Sequence, residues 1–247
     1  MSSVQPNVMI LIPSRMASTR FPNKPLADIL GTPMVVRVLQ QAAKAQAGEV
    51  YAAVSEQEVY DVVTKAGFKA VMTDPALPSG SDRIWQGVQR LMAQGVARPD
   101  IIINAQGDEP LMPPDLITDC VKAFADKPDA DVVTFAHAIT DESDINNPTK
   151  VKVVVALDGR GLYFSRSPIP YNAKQMWRHV GIYGYRYEAL ERYVAQEPTP
   201  LQKQEDLEQL RGLEIGLTYY VIPTVHEPVG VDTPADLERV KGMLSVS

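Results

Sequence analysis

The sequence predicts a three-layer α/β protein in which helices cover both faces of a mostly parallel, Rossmann-like sheet. Short apolar runs typical of buried strands alternate with segments whose apolar residues recur at helical spacing. The helical segments are about ten residues long, the length that a crossover between parallel strands requires. Because 247 residues suit one large α/β domain, we expect a single domain over residues 1–247.

The predicted elements of the first half follow the order strand, loop, helix. The first strand, 8–12, is apolar throughout and stops at Pro13. In the first helix, 34–47, Val35, Val38 and Leu39 fall on one face. The remaining elements are strands at 50–54, 70–72 and 101–104, and helices at 58–66 and 83–94.

The pattern changes after a strand at 132–136. Apolar runs at 151–156 and 162–165 flank Asp158 and Gly159, a pair typical of a hairpin turn. We therefore expect an inserted or projecting β element, an arm at about 146–175. The chain continues with strands at 180–185 and 217–221 and helices at 187–195, 204–210 and 235–243.

Charge and cysteine content exclude several classes of protein. A net charge of −6 argues against a nucleic-acid binder, which needs a basic surface to displace counterions from phosphates. Cys120 is the only cysteine, which excludes an internal disulfide and a multi-cysteine zinc site. The N-terminus has no signal-peptide pattern, and no stretch approaches the ~20 apolar residues of a membrane span. We expect a cytoplasmic protein without membrane insertion.

A basic loop at 11–26 follows the first strand, where ligands of open α/β sheets bind. Arg15, Arg20 and Lys24 supply cations, and Ser18 and Thr19 supply hydroxyl groups. Fixed cations and donors suit a triphosphate. The loop has neither the Walker spacing nor the G-x-G-x-x-G fingerprint. From these residues alone, an ordinary solvated basic loop remains an alternative.

Two aspartates are candidate ligands for Mg²⁺. Asp108 follows the strand at 101–104, and Gly107 before it would let a phosphate approach the backbone. Asp232 precedes a helix that Thr233 can cap, with Asp236 at the acidic third position of a capping box. An ordinary Gly-Asp turn and an exposed aspartate are the open alternatives.

Weaker local signals lie in three further segments. Residues 79–83 look like a helix start whose free N–H groups could meet a nucleotide. Arg166 ends a predicted strand and suits a carboxylate, although a lone arginine is more often a surface or ion-pair residue. The segments 179–185 and 208–211 offer polar groups that suit sugar hydroxyls, although His179 could equally be a hydrogen-bonded core residue.

These motifs, in this order, resemble those of the 3-deoxy-manno-octulosonate (Kdo) cytidylyltransferases, and the resemblance spans most of the chain. It implies a fold of the nucleotide-sugar transferase type, whose β arm forms homodimers. It also implies that the 2-hydroxyl of Kdo attacks the α-phosphorus of CTP, giving CMP-Kdo and pyrophosphate for lipopolysaccharide biosynthesis. The motifs that carry the resemblance lie at 12–26, 106–110, 162–166, 178–183, 207–211 and 230–234.

The resemblance also implies a role for individual residues. Asp108 and Asp232 would bind magnesium, and Arg15 and Lys24 would hold the triphosphate and stabilise the departing pyrophosphate. The expected nucleotide-binding residues are Pro13, Ser14, Arg15, Ser18, Lys24, Ser79, Gly80, Arg83 and Gln106. The expected sugar-binding residues are Arg166, for the Kdo carboxylate, and His179, Tyr183, Glu208 and Gln209, for its hydroxyls.

Four other functions are weighed against this one. The segment between Pro170 and Arg178 is shorter than in many Kdo enzymes, so a cytidylyltransferase for 8-amino-Kdo is one alternative. A cytidylyltransferase for a sialic acid would keep the basic loop and the aspartates, but Arg166, His179 and the Glu208–Gln209 pair favour Kdo. A non-catalytic sugar-nucleotide sensor on the same fold is another, which the presence of both aspartates disfavours. A nicotinamide-dependent oxidoreductase would need the missing glycine fingerprint.

Overall fold

A computed structural model describes residues 5–17 and 21–245. The chain folds into two compact units, the first formed by Met1–Asp119 and Pro228–Ser247 and the second by Cys120–Glu227. In the described part of the chain, no helix is long and apolar enough to cross a lipid bilayer.

The first unit contains a parallel sheet. Its strands are β1 Val8–Ser14, β2 Asp28–Ile29, β3 Thr32–Pro33, β4 Glu49–Val54, β5 Lys69–Met72 and β6 Ile101–Asn104. Its helices include α1 Met34–Lys44, α2 Gln57–Lys65 and α3 Gly80–Ala93. Strands β6, β1, β4 and β5 pair in this order and all run parallel, as the alternation of strands and helices predicts. Strands β2 and β3 form a small antiparallel pair.

Apolar packing explains why these segments form a sheet and helices. Residues Ile10, Leu11 and Ile12 of β1 are fully buried, as expected for a strand covered on both faces. Gly87 lets α3 approach the sheet closely, because an ideal Cβ there would lie 3.0 Å from Leu11 Cδ2. The helix α4, Asp115–Asp126, begins in the first unit and ends in the second. Helix α4 is not among the elements predicted from the sequence, and its Cys120 is a buried free thiol.

The second unit is mainly antiparallel. Its strands are β7 Val132–Ala138, β8 Lys152–Val155, β9 Gly161–Ser165, β10 Trp177–Arg186 and β11 Tyr219–Thr224. Strand β10 pairs antiparallel with β7 and β8, β8 pairs antiparallel with β9, and β11 runs parallel to β7. The β8–β9 hairpin turns through Gly159, whose φ of 92° suits glycine, and it lies within the predicted segment 146–175. Its role in dimerisation stays a prediction.

The helices of the second unit differ from the predicted ones at one place. They are α5 Tyr187–Val194, α6 Pro200–Glu205 and α7 Glu208–Glu214. The single helix predicted at 204–210 is wrong, because Asp206 adopts a left-handed conformation, with φ 52°, that ends α6. The hydrophobic pattern continues across this break, so periodicity alone did not reveal it.

The last helix, α8 Pro234–Ser245, belongs to the first unit. Its start is the predicted capping box: Asp236 N–H donates to Thr233 Oγ1 at 3.3 Å, and Thr233 N–H donates to Asp236 Oδ2 at 3.0 Å. A buried apolar cluster fixes the helix against the chain that follows the basic loop. Its members are Ile29, Met34, Val231, Leu237 and Val240.

Candidate active site

The carboxyl ends of the parallel strands in the first unit carry polar side chains. Ser14 ends β1, Ser55 follows β4, Thr73 follows β5 and Asn104 ends β6. The register pairs Ser14 with Val54 and Val54 with Met72, so three of these strands end level with one another. The polar residues therefore lie at one edge of this sheet, where α/β proteins bind ligands.

Several of these polar atoms are buried without a partner. Among the described residues of the first unit, no hydrogen-bond partner reaches Ser14 Oγ, Ser55 Oγ, Arg83 Nη2 or Asn104 Oδ1. Leaving such an atom unsatisfied costs about 1–3 kcal/mol, so native structures rarely retain several together. The edge of the sheet is therefore suited to a ligand that offers several hydrogen-bonding groups.

Arg83 is the most buried charged group at this edge. Its side chain is held by hydrogen bonds from Nη1 to Thr73 Oγ1 at 2.6 Å and to the Asp74 carbonyl at 3.2 Å. Burial lowers the pKa of the guanidinium, and the positive charge of Arg15 lowers it further. An arginine remains protonated at neutral pH even so, which makes Arg83 a fixed donor.

The start of α3 contributes backbone donors to the same edge. Ser79 caps the helix, since its Oγ accepts from Asp82 N–H at 3.1 Å. An ideal Cβ on Gly80 would lie 3.5 Å from Pro13 Cγ and 4.0 Å from Asn104 Nδ2. The first turn of α3 thus lies against the ends of β1 and β6, as the predicted nucleotide site requires.

Gly107 marks a close approach between two loops. An ideal Cβ there would lie 2.5 Å from the Pro13 carbonyl oxygen and 3.3 Å from Ser14 Oγ. Any side chain would push these loops apart, so a glycine is required on steric grounds. Gln106 and Asp108 flank this contact and are therefore held beside the end of β1.

Lys24 joins the two candidate metal ligands. Its ammonium lies 2.9 Å from Asp108 Oδ2 and 3.5 Å from Asp232 Oδ1, and it donates to the Val231 carbonyl at 3.0 Å. The Lys24 side chain is 16% exposed, whereas those of Asp108 and Asp232 are 33% and 50% exposed. The carboxylates therefore converge on one cation while remaining accessible to a ligand.

Main-chain contacts fix this arrangement. Val231 N–H donates to the Asp108 carbonyl at 2.9 Å, which ties the segment before α8 to the loop after β6. The apolar cluster around α8 then holds Val231 in place. Asp232 reaches Asp108 because α8 packs in this position, although 124 residues separate the two in sequence.

The two carboxylates fit magnesium. Within the described ranges, no three His, Cys, Asp or Glu side chains gather as a metal-binding group. Magnesium is commonly bound by one or two carboxylates, with waters and substrate phosphates completing its shell. The Lys24 ammonium, a cation already held between both carboxylates, shows that their oxygens are arranged around positive charge.

The basic loop is anchored on both sides of its undescribed part. Met16 N–H donates to Glu56 Oε2 at 3.1 Å, and Asn23 N–H donates to the Met16 carbonyl at 3.3 Å. Arg15 is exposed beside these contacts. Ser18, with its neighbours Thr19 and Arg20, lies outside the described residues.

His179 in the second unit is buried and neutral. Burial, together with the positive charge of the nearby Arg178, lowers its pKa from 6.5 to about 3. Its Nε2 lies 2.8 Å from Thr134 Oγ1, and that hydroxyl donates to the Ile182 carbonyl at 2.8 Å. The contact with Thr134 holds the imidazole ring in place, and the tautomer of the ring determines which of the two groups donates.

Two predicted sugar residues lie next to His179. The Tyr183 ring is centred 5.3 Å from the imidazole, and its hydroxyl donates to Gln209 Oε1 at 3.3 Å. Burial raises the pKa of Tyr183 well above 10, so it stays protonated. Glu208 precedes Gln209 in α7, and its carbonyl accepts from the Tyr193 hydroxyl at 3.1 Å.

Arg166 is held by the end of α6. Its Nε, Nη1 and Nη2 donate to the carbonyls of Glu205, Pro148 and Asp206 at 2.8, 3.1 and 3.0 Å. These bonds use three of the five N–H donors of a guanidinium. Continuing the register by one residue places Arg166 and His179 on either side of Val151, about two strand spacings or 10 Å apart.

Comparison with known proteins identifies the family. The family model described as cytidylyltransferase matches residues 9–221. A relative from Parvibaculum lavamentivorans named 3-deoxy-manno-octulosonate cytidylyltransferase is 47% identical and aligns over 96% of this chain and 92% of its own. The chain belongs to the 3-deoxy-manno-octulosonate cytidylyltransferase family.

Two further comparisons agree with this family. A protein of the same name from Paramagnetospirillum magneticum is 46% identical over 96% of this chain and 97% of its own. A solved structure of CMP:2-keto-3-deoxy-manno-octonic acid synthetase complexed with CTP has a TM-score of 0.91 and 36% identity. It covers 97% of this chain and 99% of that one. The predicted α/β fold of the transferase type is confirmed.

The two units of this cytidylyltransferase contain different sets of the predicted site residues. The described nucleotide and metal candidates all belong to the first unit, whereas Arg166, His179, Tyr183, Glu208 and Gln209 belong to the second. Sequence reasoning missed Ser55, Thr73 and Asn104, although each is a polar residue directly at a strand end, the signal that singled out Ser14. It also missed Thr134 and Glu205, for which the sequence gives no signal, because their partners lie about 40 residues away.

Proposed function

We propose that this member of the cytidylyltransferase family transfers CMP from CTP to Kdo and releases pyrophosphate. The observation that carries the proposal is the convergence of Asp108 and Asp232 on the Lys24 ammonium in the first unit. Relatives named for this reaction align over nearly the whole chain and support it. No protein nucleophile is required, because the sugar hydroxyl attacks the α-phosphorus directly.

The unsatisfied atoms of the first unit would bind the cytosine of CTP. Cytosine carries an amino donor at N4 and acceptors at N3 and O2, whereas uracil has the opposite pattern at positions 3 and 4. Arg83 Nη2 is an unpaired donor and Asn104 Oδ1 an unpaired acceptor, so they offer the two kinds of group that N3 and N4 of cytosine require. Ser14, Ser79, Gly80 and Gln106 complete the nucleotide residues in this proposal.

Cations of the first unit would bind the triphosphate. We assign Arg15 and Lys24 to the phosphates, where their charge stabilises the pyrophosphate as the bond from the α-phosphorus to the bridging oxygen breaks. Asp108 and Asp232 would hold Mg²⁺. When bound, magnesium neutralises phosphate charge and makes a nearby hydroxyl more acidic.

Residues of the second unit would bind the acidic sugar. In this proposal, Arg166 meets the Kdo carboxylate with the N–H donors that its three main-chain bonds leave available. In this proposal the imidazole of His179, which stays neutral, contacts a sugar hydroxyl. Tyr183, Glu208 and Gln209 would contact the other hydroxyls.

We further propose that the protein is a homodimer in the cytoplasm and supplies CMP-Kdo for lipopolysaccharide biosynthesis. The arm presents apolar side chains to solvent in the single chain. Leu157 and Tyr171 are almost fully exposed, and Leu162 is 55% exposed. Large apolar side chains exposed on one segment commonly mark a protein interface, and in this proposal a second copy of the chain covers them.

The deciding experiment is pyrophosphate release by the purified protein with Mg²⁺ and CTP, with and without Kdo. ATP, GTP and UTP serve as comparisons for the base, and 8-amino-Kdo and a sialic acid for the sugar. We expect release only with CTP, Kdo and Mg²⁺ together. Release with another acidic sugar alone would change the substrate. CTP binding without release with any sugar would replace the enzyme by a sensor.

A further inference from the structure

Lys24 uses its whole hydrogen-bonding capacity inside the protein. An ammonium has three N–H donors, and Lys24 directs them to Asp108 Oδ2, the Val231 carbonyl and Asp232 Oδ1. The side chain is only 16% exposed, so water replaces few of these contacts. As it stands, Lys24 has no donor left for a phosphate, although the proposed function assigns it to the triphosphate.

Magnesium would need the oxygens that Lys24 holds. A carboxylate oxygen binds Mg²⁺ at about 2.0–2.1 Å, closer than its contact with an ammonium. Lys24 carries one positive charge and the aspartates two negative charges, so the trio has a net charge of −1. A second cation that entered while Lys24 stayed in place would repel it at short range.

We propose that Lys24 acts as an exchangeable counter-ion that occupies the two carboxylates until a triphosphate draws it away and a metal replaces it. The triphosphate offers Lys24 other anionic oxygens, and once the ammonium has moved the ion can bind Asp108 and Asp232 without repulsion from it. Nucleotide and metal therefore strengthen each other's binding, since coupling between two ligands is reciprocal. In the nucleotide-free protein, Lys24 is a positioning residue that keeps the carboxylates together.

The surrounding structure allows this exchange without refolding. Lys24 begins a short 3-10 turn, Lys24–Leu26, whose Ala27 N–H donates to the Lys24 carbonyl at 3.1 Å. Pro25 is buried next to it. The backbone is thus fixed, and only the flexible four-carbon stem of the lysine has to move.

The test measures metal binding without nucleotide, so it does not depend on turnover. Mn²⁺ serves as the probe for Mg²⁺, and its free concentration is followed by electron paramagnetic resonance. We expect Lys24→Met to bind Mn²⁺ on the order of tenfold more tightly than the wild type, because the competing charge is gone. Lys24→Arg keeps the charge and should bind as weakly as the wild type, as should Lys44→Met, a change at an exposed lysine.

A second variant and a second measurement distinguish the proposed effect from misfolding of Lys24→Met. Lys24→Gln keeps N–H donors for Asp108 and Val231 but removes the charge, so it should also bind Mn²⁺ more tightly. In both neutral variants, 5 mM Mg²⁺ should raise the melting temperature more than in the wild type. Equal Mn²⁺ affinity in the wild type, Lys24→Met and Lys24→Gln would overturn the proposal.

This inference rests on the proposed metal ligands, and their failure would look different. The double variant Lys24→Met/Asp108→Asn should lose the gain in Mn²⁺ affinity. If it keeps that gain, the metal assignment of Asp108 is wrong. If Lys24→Met gains nothing while Asp108→Asn still abolishes pyrophosphate release, the counter-ion role alone is wrong.

Discussion

Lys24 and Asp108 lie 84 positions apart in the sequence, yet Lys24 Nζ is 2.9 Å from Asp108 Oδ2. One follows β1 and the other follows β6, and these neighbouring parallel strands deliver both loops to the same edge of the sheet. The pair therefore follows from the topology of the first unit. Through this ion pair, the basic loop interacts directly with a candidate metal ligand.

Replacing either candidate metal ligand should abolish turnover with the fold intact. Asp108→Asn and Asp232→Asn should each lower kcat about a hundred-fold or more, because a bound metal supplies several kcal/mol of transition-state stabilisation. The measurements are pyrophosphate release and the melting temperature. Asp61→Asn on α2 is the matched control, since Asp61 is exposed and its carboxylate accepts from the neighbouring Gln57 side chain. Near-normal rates in either variant would refute the metal assignment.

Removing an unsatisfied hydroxyl should weaken nucleotide binding at no cost in stability. Ser14→Ala deletes a buried oxygen without a described partner, so the free energy of unfolding should stay within about 0.5 kcal/mol. If CTP uses this hydroxyl, KM for CTP should rise roughly three- to tenfold. Thr73→Val is the contrast, because Thr73 Oγ1 bonds Arg83 and Val54 and its loss should cost about 1–3 kcal/mol. An unchanged KM in Ser14→Ala would exclude Ser14 from the site.

A methyl group at Gly107 should disrupt the contact between two loops. Gly107→Ala places a Cβ 2.5 Å from the Pro13 carbonyl, which should cost about 1–3 kcal/mol and raise KM for CTP. Gly242→Ala on α8 is the control, since its Cβ meets nothing within 4 Å and alanine favours a helix by up to about 1 kcal/mol. Urea unfolding and CTP titration measure both effects. A stable Gly107→Ala protein with normal CTP use would contradict the close approach.

Stability should fall as the pH drops below 6.5 because His179 is buried in its neutral form. The folded pKa is about 3, whereas the unfolded chain takes up the proton near pH 6.5. Between these two pH values, the unfolded state therefore binds more protons than the folded state. The contribution of His179 to the free energy of unfolding is complete above pH 6.5 and declines by about 1.4 kcal/mol for each pH unit below it. Urea unfolding between pH 5 and 8 measures the slope. His179→Gln should flatten it. An equal slope in wild type and His179→Gln would contradict this origin.

Charged groups on the arm should separate the proposed homodimer. Light scattering should give the wild type a mass of twice 27.2 kDa and the double variant Leu157→Asp/Leu162→Asp a mass near 27.2 kDa. Both side chains are exposed in the single chain, so the change should not unfold it. Met243→Asp on α8, where the side chain is 48% exposed, should remain dimeric. A monomeric wild type would refute the dimer.

The sequence by itself determined the α/β class and the four parallel strands of the first unit, because burial on both faces demands apolar runs that are visible without neighbours. It also located Asp108 and the capping box at Thr233, which depend on local spacing. It did not reveal the short pair β2 and β3. Motif resemblance then supplied roles for residues such as Arg166, which local chemistry left ambiguous.

Tertiary structure alone decided which of these residues meet. Asp232 reaches Asp108 because α8 packs on the cluster around Val231, and no local pattern encodes that contact. The break between α6 and α7 at Asp206 also depends on a distant residue. The carbonyls of Glu205 and Asp206 accept hydrogen bonds from Arg166, about 40 residues earlier in the sequence. Hydrophobic periodicity records which face of a segment is buried, whereas hydrogen bonds and ion pairs between distant loops depend on how the segments are arranged in space.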